Sequence, residues 1–381
     1  MTEVIALGQP TVGDEELEAI AEVFSSGWLA GNGPMSRRLE AAFAEITASA
    51  HALAVGNCTE ALHLALIGLG VERGDEVVVA DYTFPATGHA VMYVGADPVF
   101  ADVRSDIWTV DPAAVEAAVT ERTVGIMAVD VFGQCADYDE LRSIAERHGL
   151  WLLEDAAAAT GARYRGRPAG SLADVACFSF HGRKGVTSGE GGALTTSRVD
   201  IDANARKLHA FGIESALARV ESNELPVPIF NELGYNYKLS DVAAAIVLVQ
   251  LRRLPDLIAR RQRVADTYTT LLGNVDGVTL PVCLDDRVHT WQAYVLTLTP
   301  EIDRSAVAFA LRSEGIQCNF GTYASHVQPL YGDPKPCPIS ADLFARQLAI
   351  PMHANLVDDQ VERVADAVRR AVMHHRQAPQ H

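Results

Sequence analysis

The stretch SFHGRKGVTSGEGGAL, residues 179–194, sets Lys184 between two apolar runs, VACFSF (175–180) and GALTTS (192–197). A lysine among core strands either reaches the surface along its stem or has its amine paired or chemically employed. Ser179 precedes it, and Gly189, Gly191 and Gly192 follow where the backbone can approach another group closely. Three further stretches end apolar runs with groups that could serve such an amine. In GNCTEALHLAL (56–66) a strand turns into a helix whose first N–H groups can hold a phosphate, with the Thr59 hydroxyl as an extra donor. LLEDAAAATGA (152–162) ends in the acidic pair Glu154 and Asp155, and DYTFPATGHA (81–90) places Phe84 just past a strand. Each has a plainer reading: an ordinary N-cap, Asp155 capping the next helix, and Phe84 packed in the core. Together they are the parts that pyridoxal phosphate requires: an amine for a Schiff base, a carboxylate for the pyridine nitrogen, a stacking ring and a phosphate cradle. Lys207 in a charged helix beside Arg206, Lys238 after Tyr237 and Lys335 between prolines fit the amine's part less well.

Such groups need a scaffold that ends several strands at one place. The runs ALAV (52–55), EVVVA (76–80), PVFADV (98–103), VGIMAVDV (124–131), LWLLE (150–154), VACFSF and GALTTS alternate with helical patterns such as ALHLALIGLG (61–70), DPAAVEAAV (111–119) and YDELRSIAERHG (138–149). That rhythm predicts an α/β fold, a mostly parallel sheet wrapped by helices, with ligands outside the carboxyl ends of the strands. Ahead of it, DEELEAIAEVFSSG (14–27) spaces Leu17, Ile20, Ala21 and Phe24 as one helical face and stops at Gly27, and a second helix carries Leu39, Phe43 and Ile46. Later, LSDVAAAIVLVQLRRLPDLIARRQRVADTYTTLL (239–272) is helical apart from Pro255. YVLTL (294–298), SAVAFALRSEG (305–315), IQCNFGTY (316–323) and VDDQVERVADAVRRAV (357–372) read as a small α+β unit. The expected division is a large domain over 1–250, including the N-terminal helical segment, and a small one over 251–381.

At 381 residues, 49% hydrophobic and 21% charged, the chain can bury more than one core and is not of disordered composition. A net charge of −18 lacks the basic surface that counterion release from nucleic acid requires. No apolar run approaches the ~18 residues of a membrane span, and MTEVIALGQP has neither the basic start nor the apolar centre of a signal peptide, so a cytoplasmic location is expected. Cys58, Cys135, Cys177, Cys283, Cys318 and Cys337 form no C-x-x-C pair, so neither a disulfide framework nor a metal site is expected. The tail HHRQAPQH is expected to fray.

The chain also resembles the DegT/StrS family of sugar aminotransferases, pyridoxal-phosphate enzymes of fold type I. The resemblance runs nearly its whole length, through SGWLAGNGP (26–34), GNCTEALHLAL, GDEVVVADYTFPAT (74–87), EDAAAATGARYRGRPAGSLADVACFSFHGRKGVTSGEGGA (154–193), GYNYKLSDVAAAI (234–246) and LAIPMHANL (348–356). It implies a large α/β/α sandwich domain with a mostly parallel sheet and a small C-terminal α+β domain. Carried over residue by residue, it makes Lys184 the Schiff-base lysine and proton shuttle, Asp155 the partner of the pyridine nitrogen and Phe84 the stacking ring. Cys58, Thr59 and Ser179 hold the phosphate, and Asn236 reaches the phosphate of a neighbouring subunit, which implies a homodimer with shared active sites. His181 and His326 stand where family members approach the substrate, with a structural role as the equal alternative. Two features depart from the family pattern. Ala158 stands where many members carry a Gln or His that bonds the cofactor's ring oxygen, and Gly182, Arg183 and Gly185 replace the commoner P-T-K-N wording, a change that can alter acceptor choice.

The resemblance implies a two-stage transamination from glutamate or glutamine to the keto group of a nucleotide-linked deoxysugar. The alternatives are a cyclitol ketone such as an inosose as acceptor, a sugar dehydratase, in which histidine replaces the lysine, and a non-catalytic sensor that keeps the pocket. Four lysines beside abundant Arg and Ala point to a GC-rich bacterial source, which fits antibiotic or cell-surface sugar biosynthesis. Substrate contacts are expected from loops such as 213–233.

Overall fold

A computed structural model describes residues 3–213, 230 and 232–375, so most of the loop expected over 213–233 and of the C-terminal tail lies outside the described residues. Seven strands form the central sheet: β1 His51–Val55, β2 Glu76–Ala80, β3 Asp97–Ala101, β4 Thr123–Val129, β5 Trp151–Asp155, β6 Val175–Ser179 and β7 Gly192–Thr196. Their order is β1-β7-β6-β5-β4-β2-β3. β7 is antiparallel to both neighbours, and the pairings from β6 to β3 are all parallel. Asp155 pairs with Cys177, so β5 and β6 end side by side on Asp155 and Ser179.

The strands are apolar on both faces because helices cover both. Successive side chains of β6 go to opposite sides: Phe178 meets Phe43 edge to face at 4.9 Å, while Cys177 packs with Leu62 and Met127. Phe43 belongs to α2 (Pro34–Thr47) and Leu62 to α3 (Cys58–Gly68). The N-terminal helix α1 (Asp14–Ser26) is where its sequence predicts it, but Leu17 and Phe24 of its apolar stripe are 65% and 62% exposed. The inward residues are Glu16 and Val23. Glu16 accepts from the Gly13 amide at 2.8 Å and pairs with Arg253, and these polar bonds fix the helix's rotation.

The long helical stretch divides at Arg253 into α4 (Asp241–Arg252) and α5 (Leu254–Leu272), with Pro255 in the first turn of α5, where its missing N–H removes no helical bond. Beyond it lies a four-stranded antiparallel sheet, in the order Val278–Thr279, Tyr294–Leu298, Gln347–Ile350, Asn319–Phe320. Tyr268 and Leu272 of α5, with Tyr294, Val307, Val364 and Val368, build a second core there, which Ile5 joins from the N-terminus.

Candidate active site

The carboxyl ends of β1, β4, β5 and β6 meet at a cavity of about 740 Å³. On one side is the start of α3. Asn57 caps it, its Oδ1 accepting from the Glu60 amide at 2.9 Å, which leaves the first-turn amides of Cys58 and Thr59 without an acceptor inside the helix. Gly192 sets that helix start in place. A β-carbon there would lie 2.6 Å from the Asn57 carbonyl carbon and 2.7 Å from the Cys58 nitrogen, so only glycine lets β7 pass so close. Ser179, buried at the end of β6, accepts from the His181 amide at 3.3 Å and lines the same cavity.

Of the acidic pair, Glu154 points away and accepts from the Gly170 amide at 2.9 Å. Asp155 faces the cavity. Its carboxylate accepts from Thr87 Oγ1 at 2.8 Å and from the Ala157 amide at 3.2 Å, which leaves lone pairs for one further donor. Burial raises its pKa above the usual carboxylate value, against the pull of those two hydrogen bonds and of Lys184.

Lys184 ends a turn closed by its amide donating to the His181 carbonyl at 2.8 Å, and Arg261 of α5 reaches its carbonyl at 3.4 Å. Its Nζ lines the cavity with no hydrogen bond or ion pair to any described residue. Burial lowers the amine below the ordinary lysine value, Cys58 and Asp155 pull the other way, and Arg183 adds to the lowering. Burial likewise pushes the Cys58 thiol well up, so at neutral pH it is a neutral wall rather than a nucleophile.

Cys58, Thr59, Phe84, Asp155, Ser179, His181 and Lys184 therefore share one cavity, and Ala158 lines it too. Phe84 is 64% exposed, edge-on to Tyr323 at 6.1 Å, so it stands at the mouth rather than in the core. Two sequence candidates lie outside the lining. Asn236 accepts from Lys238 Nζ, while its neighbour Tyr237 lines the cavity with its hydroxyl 3.1 Å from His63 Nδ1. His326 is held by Asp81, its ring Nδ1 at 2.7 Å from one oxygen and its amide at 2.6 Å from the other. Cys337 brings a third ligand-type atom within 4.8 Å of that pair, but both Asp81 oxygens are already taken by His326. Sequence reasoning missed Thr87, Tyr237 and Gln292. Thr87 sits in the quoted stretch DYTFPAT, one strand-end away from Asp155, and only the fold reveals that the two meet.

An amine unpartnered among the described residues, a buried carboxylate with room for a donor and a helix start with free amides fit pyridoxal phosphate. The sequence profile of the DegT/DnrJ/EryC1/StrS aminotransferase family matches residues 10–369. The spore coat polysaccharide biosynthesis protein SpsC of Bacillus subtilis (strain 168) is 36% identical over 376 residues, 95% of this chain and 96% of that protein. The crystal structure of DesI, determined in the presence of its TDP-sugar product, superposes with a TM-score of 0.89 at 33% identity, covering 99% of this chain and 95% of that one. Spr1654 of Streptococcus pneumoniae in its PMP-form superposes with a TM-score of 0.92 at 26% identity, covering 97% of this chain and 99% of that one.

Proposed function

Because the chain belongs to the DegT/DnrJ/EryC1/StrS aminotransferase family, and is a sugar aminotransferase that uses pyridoxal phosphate, we propose that it moves an amino group from glutamate or glutamine to the keto group of a nucleotide-linked deoxysugar. The observation that carries this reading is the Lys184 amine, free of partners among the described residues and facing the same cavity as the buried Asp155 carboxylate. When bound, pyridoxal phosphate supplies an electron-poor ring that stabilises negative charge at the carbon losing a proton. Lys184 would anchor it through Nζ, and its amine, when free, would carry a proton to and from the substrate carbon. Asp155 accepts the N–H of the pyridine nitrogen and keeps that nitrogen charged, with Thr87 and the Ala157 amide holding the carboxylate in place. The Cys58 and Thr59 amides and the Thr59 and Ser179 hydroxyls hold the phosphate, and Phe84 covers the ring. Asn236 reaches the phosphate of a second subunit in a homodimer. A nucleotide-linked acceptor is favoured over a cyclitol by the TDP-sugar on DesI.

The test is the absorbance of the purified protein with pyridoxal phosphate, before and after addition of glutamate or glutamine. The expected outcome is a visible band that the donor bleaches and that a TDP-linked keto sugar, but not an inosose, restores. Lys184→Ala should slow bleaching by about 10²–10⁴-fold. Bleaching at the wild-type rate in that variant would remove the assignment of Lys184, and restoration by the inosose alone would make the acceptor a cyclitol.

A further inference from the structure

Beside the main cavity lies a side chamber of about 60 Å³ that shares Phe132, Arg183, Gln292 and Gly321 with it. Its remaining walls, among them Phe320 and Met352, are apolar, and Arg183 is the one charged residue among the described residues that line it. The Arg183 backbone is fixed from two sides: its amide donates to His181 Nδ1 at 3.2 Å, and Gln292 Nε2 donates to its carbonyl at 3.2 Å. Its guanidinium has no hydrogen bond or ion pair to any described residue. A guanidinium without a partner among the described residues, on a fixed backbone at a small apolar chamber, can act as a receptor for a planar anion, because arginine's fork matches a carboxylate in two parallel bonds.

The charge around it decides which anion needs it. The main cavity is lined by four carboxyl groups, Glu60, Asp130, Asp155 and Glu190, against two basic side chains, Arg183 and Lys184. Any α-amino acid entering must bring a carboxylate into that field, and Lys184 is committed to the cofactor. The donor's α-carboxylate is bonded to the carbon that reacts, so its receptor must stand close to Lys184, and Arg183 is the adjacent residue on the same turn. We propose that Arg183 binds the α-carboxylate of the amino donor, with the side chamber as its seat. The inference rests on the transamination reading above. It changes the weight of the HGRKG wording: the arginine selects the donor rather than the acceptor.

The experiment compares wild-type holoenzyme with Arg183→Gln and Arg183→Lys on two donors, L-glutamate and its α-amide, which keeps the amine and loses only the α-carboxylate. The loss of a charged hydrogen-bonded pair lowers kcat/KM for glutamate in Arg183→Gln by about 10- to 100-fold, mostly through KM, while the α-amide changes less than about threefold. Arg183→Lys restores part of the loss on glutamate. A second readout needs no turnover: glutarate, a dicarboxylate without an amine, should bind wild-type holoenzyme in calorimetry at least about 10-fold more tightly than it binds Arg183→Gln. Equal losses on both donors, no loss on glutamate, or glutarate binding that is absent or indifferent to the substitution overturns the proposal. If the wild type bleaches with no amino acid at all, the transamination reading fails instead, and glutarate binding still reports on Arg183.

Discussion

A lysine held in the wrong environment for its charge is the residue-scale fact on which this site turns. Burial lowers the Lys184 amine, so in the cofactor-free protein its charged form is a burden on the folded state. The sign follows from proton counting. Below the folded value both states are protonated and the cost is full; between that value and the ordinary lysine value the unfolded chain holds the extra proton, and stability rises with pH. Lys184→Met abolishes this slope. The cofactor-free variant should melt above the cofactor-free wild type at pH 7, by roughly 1–2 °C per kcal/mol regained, and the gap should narrow towards pH 10. Asp155 and Cys58, the other titrating neighbours of this amine, are present in both proteins. A variant that melts lower at pH 7, or a gap that does not change with pH, would show that the amine is not strained by burial. Sequence could find this lysine because a charge between two apolar runs is anomalous in one dimension. It could not find Thr87, whose hydroxyl is unremarkable until α-helix Ala86–Tyr93 brings it to 2.8 Å from Asp155.

Elements were legible to the extent that their periodicity was local. EVVVA and YVLTL are strands over the residues that their apolar runs mark, and the break in 239–272 falls two residues before Pro255. The inward face of α1 was not legible, because a distant arginine, Arg253, draws Glu16 inward and turns Leu17 and Phe24 out. The close approach of β7 to the start of α3 depends on Gly192, whose neighbours Asn57 and Cys58 are more than a hundred residues away in sequence. Gly192→Ala tests whether this contact sets the phosphate cradle. The added methyl must push the Asn57–Cys58 peptide aside, since its three nearest atoms, the Phe178 carbonyl oxygen at 2.8 Å among them, are all backbone and cannot yield as a flexible side chain would. Overpacking of this kind costs on the order of 1–3 kcal/mol. The expected outcome is a lowered melting temperature together with pyridoxal phosphate affinity reduced by about 10-fold, measured by equilibrium titration of the visible band. A variant that melts lower but binds the cofactor as tightly as wild type would separate the contact from the cradle.

At the scale of the molecule, the described chain leaves several large apolar side chains exposed. Leu17 and Phe24 on α1, Phe84 at the cavity mouth and Leu233 at 83% exposure are large and uncovered. Leu17 and Phe24, on the same helix, are candidates for a surface that a second copy of the chain would cover. Asn236 adds a positional argument, because it is exposed, turned to Lys238, and absent from the lining of its own cavity although Tyr237 beside it is present. A homodimer in which Asn236 serves the opposite site accounts for both observations. Mixing two defective proteins tests it: Lys184→Ala removes the anchor of its own site, and Asn236→Asp sets a carboxylate against the phosphate that it serves. Each alone should lose at least about 10-fold in activity through a lost or opposed charged contact. If Asn236 acts across the dimer, unfolding and refolding the two together yields mixed dimers in which one site carries both defects and the other carries neither. Random pairing makes half of the dimers mixed, so about a quarter of wild-type activity should return. If Asn236 acts within its own subunit, every site in the mixture keeps one defect, and activity stays at the average of the two variants.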